Sequence, residues 1–120
     1  MEKDQTFKVY AQLILVGLDY GTGERHIMSV AKENPVFPTC PWYREAGPDL
    51  KSIVDAYVKL DIAWINPKMT GLRIEEDKMY VIFAGQIPLD TEFNKAEWVN
   101  LDTIKSPDIR PSVLEAVRSI

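Results

Sequence analysis

Two residue types that often carry chemistry are nearly absent from this sequence, which has one cysteine, Cys40, and one histidine, His26, among its 120 residues. A lone cysteine cannot form an intrachain disulfide, and this suits a reducing compartment. A lone histidine has no second imidazole with which to share a metal ion. A nucleophilic Cys40 needs a base beside it, and nothing in the sequence places His26 there. We therefore expect neither residue to be catalytic.

The sequence also lacks a long apolar segment and a basic excess. Its longest apolar run, AQLILVGL at residues 11–18, contains Gln12 and is far too short to cross a bilayer. The polar start MEKDQTFK shows no signal peptide. The net charge is −4, and the lysines and arginines are spread along the chain, which argues against a phosphate-binding nucleic-acid partner. We expect a cytoplasmic protein with no membrane segment and no nucleic-acid partner.

What the sequence does have is the composition of an ordinary globular domain, with 46% hydrophobic and 27% charged residues. A chain of this length can build one domain with a real core. No repeat, linker or low-complexity segment divides it. We therefore predict a single domain over residues 1–120.

The first third of the chain predicts two strands and a loop. Phe7 to Asp19 is rich in β-branched, leucine and aromatic residues, which indicates a long, mostly buried strand. The turn YGTGE leads into RHIMSVAK at residues 25–32, so the two strands should form a hairpin. ENPVFPTCPWYREAGPD at residues 33–49 carries four prolines, so we predict a long ordered loop without regular structure.

The next segment, GPDLKSIVDAYVKLDIAW at residues 47–64, predicts a capped amphipathic helix. Gly47 or Asp49 can serve as its N-cap. Its apolar residues recur at helical spacing on one face: Leu50, Ile53, Val54, Tyr57 and Val58.

The polar face of this helix adds two predictions. Asp55 and Lys59 have the i,i+4 spacing and the order that favour an ion pair. The helix should end near Leu60 or Asp61.

The second half of the chain predicts three strands and a helix. MTGLRIEEDKMYVIFAGQIP at residues 69–88 contains two strand-like runs around a charged turn. AEWVNLDTI at residues 96–104 predicts a short strand, and SPDIRPSVLEAVRSI at residues 106–120 ends in a helix. We expect five apolar side chains of the first two runs to point inward: Leu72, Ile74, Met79, Val81 and Phe83. The order β-β-loop-α-β-β-β-α defines an α+β fold, a mixed sheet with helices packed on it.

This order resembles the Nudix hydrolase family over nearly the whole chain, roughly Phe7 to Ile120. Phe37 and Pro38 are similar to the start of the family's FPGG turn, and Gly47 to the glycine that opens its catalytic motif. VKLDIAW stands where the family has LKEELGI, and AEWVNLDTI is similar to its late E-x-x-W segment. The resemblance implies a MutT-like α/β/α sandwich, in which a mixed β-sheet is flanked by helices.

The family's catalytic residues are mostly replaced. Its motif, R-E-x-x-E-E-x-G, supplies carboxylates on one helix face for a Mg²⁺ ion that promotes cleavage of a pyrophosphate bond. Placed from Gly47, the motif's arginine falls on Ala56 and its paired glutamate on Tyr57, and the next two glutamates fall on Leu60 and Asp61. Only Asp61 keeps a carboxylate, so the resemblance in fold does not carry the family's activity.

Five residues are candidates for ligand binding. Trp42, Tyr43 and Arg44 can stack on a base or grip a phosphate, and they can equally cap the sheet or contact a protein. Glu45 can supply a carboxylate in the loop, and Asp61 can act as a residual metal ligand. The alternative for both Glu45 and Asp61 is a solvent-exposed charge with no ligand.

Two functions follow from these observations. The first is a Nudix-fold module that binds a nucleotide-like ligand or a protein partner through the 38–47 loop, with no catalytic residue, metal or cofactor. The alternative is a divergent hydrolase of nucleoside diphosphate derivatives, which would hold Mg²⁺ with Asp61 and acids outside the usual motif. The further acid would be Glu45, Asp49 or one from elsewhere, such as Glu92 or Glu97. A homodimer is compatible with either function.

Overall fold

The computed structural model of the chain describes residues 8–31, 35–43, 47–59 and 65–120. Among these residues the helices are α1 at Leu50–Tyr57 and α2 at Arg110–Arg118, with a 3-10 turn at Leu101–Thr103. The strands are β1 at Lys8–Leu18, β2 at Arg25–Ser29, β3 at Thr39–Tyr43, β4 at Gly47–Pro48, β5 at Lys68–Glu75, β6 at Lys78–Gln86 and β7 at Glu97–Asn100. None of the helices in this part of the chain is long and apolar enough to span a membrane.

Strand β1 lies at the centre of a mixed sheet. β6 runs parallel to it along one side. The other side is shared, because β3 pairs with the first half of β1 and β2 with the second half, both antiparallel. β5 extends the sheet beyond β6, β7 extends it beyond β2, and β4 pairs with β3.

The sheet separates two layers of core because the side chains of β1 alternate between its faces. Leu13 and Leu15 pack in the layer that contains α1, and Ile14 and Val16 pack in the layer that contains α2. All four side chains are fully buried, and burying each contributes about 1.5–3 kcal/mol. The predicted α+β arrangement, a mixed sheet flanked by helices on both faces, is confirmed.

The predicted hairpin of β1 and β2 is also confirmed, and the residues of its turn suit its geometry. The Asp19 carboxylate accepts hydrogen bonds from the backbone N–H groups of Gly21 at 2.9 Å and Thr22 at 3.3 Å. These bonds, the Gly21 bond first, lower the pKa of Asp19. Gly23 has φ +78°, a conformation in which a side chain is strained.

The prediction that residues 33–49 form only a loop is wrong. β3 lies within this segment and contains Pro41, which stands opposite Tyr10 of β1. Proline is tolerated in a strand where its missing N–H does not interrupt a ladder on both sides. The ladder of β3 with β4 joins only Trp42 and Tyr43 to their partners, so Pro41 has no partner strand on that side among the described residues.

The predicted pair of Asp55 with Lys59 is also wrong. α1 ends at Tyr57, and Val58 takes an extended conformation with φ −123° and ψ 133°. Lys59 therefore no longer lies one turn beyond Asp55. Asp55 instead accepts a 2.7 Å bond from Lys51.

The inward positions predicted on β5 and β6 are only partly right. Val81 is buried, and Met79 and Phe83 are half-buried. Leu72 and Ile74, however, are 62% and 58% exposed. They lie on the same sheet face as Val81, but β5 is the outermost strand on that side of the sheet, where α1 does not reach.

Gly17 marks a tight contact and gives the first prediction. A Cβ there would lie 2.6 Å from Leu89 Cδ2 and 2.7 Å from Trp98 Cη2. Trp98 is itself held by its Nε1–H bond to the Leu89 carbonyl and by its edge contact with Phe93. Gly17→Ala should therefore lower the free energy of unfolding by about 1–3 kcal/mol, as overpacking does.

The matched control is Gly71→Ala, because the nearest atom to a Cβ at Gly71 is Glu115 Cγ at 3.9 Å. Urea unfolding should show a lower free energy of unfolding for Gly17→Ala and little change in it for Gly71→Ala. Equal midpoints would contradict the packing described around Gly17.

Candidate functional site

Helix α1 is the helix on which the sequence resemblance places the family's metal-binding motif, and its apolar side chains pack against the sheet. Ile53 and Val54 are buried against the sheet, and Tyr57 packs beside them. Tyr57 and the exposed Ala56 are the positions at which the resemblance puts the family's glutamate and arginine. The described residues of this helix face therefore carry no carboxylate.

The N-terminus of α1 is closed by its own cap. Asp49 Oδ1 accepts a 3.0 Å bond from the backbone N–H of Ser52, and Asp49 Oδ2 accepts a 2.7 Å bond from the Ser52 hydroxyl. These bonds, the hydroxyl bond first, lower the pKa of Asp49. A negative charge thus sits where the helix N–H groups point, and this disfavours a second anion at the same place. Of the two N-cap candidates, Asp49 is the cap.

The other acids considered as metal ligands are dispersed. Glu92 lies 3.6 Å from Lys59, and Glu97 is exposed on β7, opposite Ser29 of β2. Within the described ranges there is no group of three His, Cys, Asp or Glu side chains that could hold a metal ion. Because Mg²⁺ is held by clustered oxygen ligands, these residues do not fit the family's magnesium site. Glu45 and Asp61 lie outside the described residues.

Of the five candidate ligand-binding residues, the structure describes the side chain of Trp42 alone. Its ring is half-buried and lies 5.9 Å from the ring of Phe83, tilted by 38°. Tyr43 is described only through its backbone pairing with Gly47. Arg44, like Glu45 and Asp61, lies outside the described residues. Trp42 thus covers part of the sheet on the side of α1.

That side of the sheet, here called the α1 face, carries three rows of apolar side chains. The strand register aligns them as Ile74, Met79 and Val9; as Leu72, Val81, Ala11 and Cys40; and as Met69, Phe83 and Leu13. No residue in these rows is charged. α1 covers the inner end of the rows, around Leu13 and Cys40.

The outer end of the rows is exposed. Met69, Leu72 and Ile74 are 64%, 62% and 58% exposed, and they are called the β5 patch below. Sequence reasoning found the alternation that places Leu72 and Ile74 on this face, but it took that face to be covered at β5. The β5 patch is an exposed apolar surface that the sequence alone did not reveal.

The lone cysteine and the lone histidine lie on different strands, which pair with opposite ends of β1. Cys40 is half-buried opposite Ala11, and burial raises the pKa of its thiol. His26 pairs with Gly17 near the other end of β1, edge-on to Trp98 and with Nε2 3.8 Å from Glu24. A thiol with a raised pKa is a poor nucleophile at neutral pH.

Two crystal structures have the same architecture. One is a MutT/nudix family protein from Enterococcus faecalis, with a TM-score of 0.59, 10% identity, and coverage of 83% of this chain and 46% of that chain. The other is the complex between the C-terminal domain of mouse MUTYH and human PCNA, with a TM-score of 0.66, 12% identity, and coverage of 93% and 88%.

These likenesses concern the fold, because the identities are low. The chain spans about half of the length of the Enterococcus faecalis protein. No family model matches the sequence, and no curated protein matches it. The chain has a Nudix-like fold, as the resemblance in its sequence implied.

The cap of α1 predicts a particular dependence of stability on pH. A carboxylate whose folded pKa is lowered adds stability above its unfolded pKa, about 3.9 for Asp, and loses it as pH falls through the folded value. Asp49→Ala should therefore destabilise the protein at neutral pH, and its difference from the unmodified chain should shrink in acid. Urea unfolding at several pH values measures this.

Asp49→Asn is the control, because asparagine keeps an acceptor for Ser52 without the charge. It should retain most of the stability at neutral pH and show a weaker change in acid. A deficit of Asp49→Ala that stays constant from neutral to acid pH would contradict the assigned cap.

The raised pKa of Cys40 predicts slow alkylation. Iodoacetamide should modify Cys40 more slowly in the folded protein at neutral pH than in denaturant, because less thiolate is present and the thiol is half-buried. Mass spectrometry follows the reaction. Modification at least as fast in the folded state would indicate an activated thiol.

Proposed function

We propose that this chain is a Nudix-fold module that binds a protein partner and does not perform the family's magnesium-dependent cleavage of pyrophosphate bonds. One observation carries the proposal. The α1 face, on which the family's catalytic helix lies, is apolar along three rows of side chains and ends in the exposed β5 patch.

The chemistry around α1 supports the absence of hydrolysis. A Mg²⁺ ion takes about six oxygen ligands, among them one or two carboxylates beside water and substrate phosphates. On α1 the matching positions hold Ala56 and Tyr57, and Asp55 is paired with Lys51. Both carboxylate oxygens of Asp49 accept hydrogen bonds from Ser52 at the N-terminus of the helix.

The same surface favours a protein over a nucleotide-like ligand. Phosphates are bound by Arg and Lys side chains or by the free N–H groups of a helix N-terminus. The three rows contain no cation, and the N-terminus of α1 carries the Asp49 carboxylate. A cluster of exposed apolar side chains such as the β5 patch is instead typical of protein contact surfaces.

The comparisons support this proposal at the level of the fold. The C-terminal domain of mouse MUTYH, which this chain matches over 88% of its length, was crystallised in complex with another protein, human PCNA. A domain of this size and architecture can therefore serve protein recognition. The identity of the partner does not transfer at 12% sequence identity.

A turnover assay tests the proposal. Nucleoside triphosphates, sugar nucleotides and dinucleotides are incubated with the protein and Mg²⁺, then Mn²⁺, and the products are separated by chromatography. We expect no metal-dependent cleavage, and we expect Asp61→Ala to behave as the unmodified chain does.

Asp90→Ala, which removes an exposed carboxylate elsewhere, is the matched control. Cleavage that requires metal and is lost in Asp61→Ala but kept in Asp90→Ala would overturn the proposal. It would establish the divergent hydrolase instead.

A further inference from the structure

Strand β5 forms an outer edge of the sheet, and among the described residues β6 is its single strand partner. An unpaired edge presents N–H and C=O groups that can bond to another strand. We propose that this edge pairs antiparallel with β5 of a second copy of the chain, across a two-fold axis at Leu72. The inference deepens the proposed function, on which it rests, by naming the protein partner.

A bulge in β5 determines which residues can meet across such a pairing. Met69 pairs with Phe83 of β6 and Gly71 pairs with Ile82, so Thr70 is an extra residue in the ladder. Because strand side chains alternate, one extra residue returns Met69 to the α1 face that Leu72 and Ile74 share. The bulge therefore creates the continuous β5 patch.

With this bulge, the ladder of β5 is symmetric in length about Leu72. Placing Leu72 opposite Leu72 of the second copy sets Gly71 opposite Arg73, Met69 opposite Ile74, and Lys68 opposite Glu75. In every pair both residues lie on the same face of the extended sheet, as an antiparallel ladder requires. The apolar pairs all fall on the α1 face.

Charge complementarity selects this register over its neighbours. It places Lys68 opposite Glu75 twice, once on each side of the axis, and opposite charges across strands are favourable. It also places Arg73 opposite a glycine. Moving the axis to Arg73 would put two arginines opposite each other, and moving it to Gly71 would put Lys68 opposite Arg73. Like charges directly opposite each other are destabilising.

The side chain of Arg73 lies where it does not cover the edge of β5. Its guanidinium lies over the ring of Tyr80 at 4.7 Å and pairs with Glu75. Both contacts hold it on the α2 side of the sheet, away from the β5 patch. Pairing of the edges would bring the β5 patches of the two copies side by side on the α1 face, in cross-strand contact, without displacing this cation.

The experiment is sedimentation velocity of the full chain over a concentration series. We expect a reversible monomer–dimer equilibrium, and we expect Leu72→Lys to raise the dissociation constant by about tenfold or more because it places two like charges at the axis. Val36→Lys is the matched control, because Val36 is exposed, at 49%, and lies outside β5. It should dimerise as the unmodified chain does.

Charge reversal tests the register itself. Lys68→Glu alone and Glu75→Lys alone should each weaken dimerisation, because each sets like charges opposite one another twice. A mixture of the two variants should restore association as a heterodimer, because one chain then carries two acids at positions 68 and 75 and the other carries two lysines.

Circular dichroism melts establish that each variant is folded. Lys68→Glu and Leu72→Lys do not disturb the pair of Glu75 with Arg73, so they test the proposal even if Glu75→Lys fails to fold.

Three outcomes would overturn the inference: a monomer at every concentration, a dimer that Leu72→Lys leaves intact, or a folded variant mixture that does not associate. A monomer that cleaves no nucleotide would overturn this inference alone and leave the proposed function standing. Metal-dependent cleavage would overturn the proposed function whether or not the chain dimerises.

Discussion

The parallel pairing of β1 with β6 sets the register of the central sheet. It runs from Lys8 opposite Lys78 to Val16 opposite Gln86, and it buries the side chains of β1 in the layers on both sides of the sheet. Because this pairing fixes the register of β6, it also fixes the register of β5, which pairs with β6. The same hydrogen-bond ladder that forms the core therefore decides which apolar side chains reach the outer edge of the α1 face.

Helix α1 is the element on which the proposed absence of hydrolysis rests. Ile53 and Val54 of this helix are buried against the sheet. Two of its carboxylates bind groups of the same helix: Asp49 caps the N-terminus, and Asp55 pairs with Lys51. Tyr57, which stands where the resemblance puts the family's glutamate, packs with Ile53 and Val54, so the packing of the helix requires no carboxylate at that position.

The sequence predicted features that depend on local pattern, and it missed those that depend on strand order. The strand β1 and the capped start of α1 were predicted from the sequence because each depends on residues that are neighbours in the chain. β3 was missed because Pro41 argues against a strand. Pro41 is tolerated there because β4 pairs only with Trp42 and Tyr43, so among the described residues no strand pairs with Pro41 on that side. The exposure of Leu72 was missed because alternation shows which face a residue lies on, but not whether a helix covers that face.

Under the proposed function, apolar side chains of the α1 face stand where the family would hold a metal ion. Broadening of amide NMR signals by Mn²⁺ tests it most directly, because a bound paramagnetic ion broadens nearby signals whether or not any substrate turns over. We expect signals of residues 47–59, which include α1, to broaden no more than those of α2 on the opposite face of the sheet. Selective, saturable broadening at α1, abolished in Asp61→Ala, would contradict it.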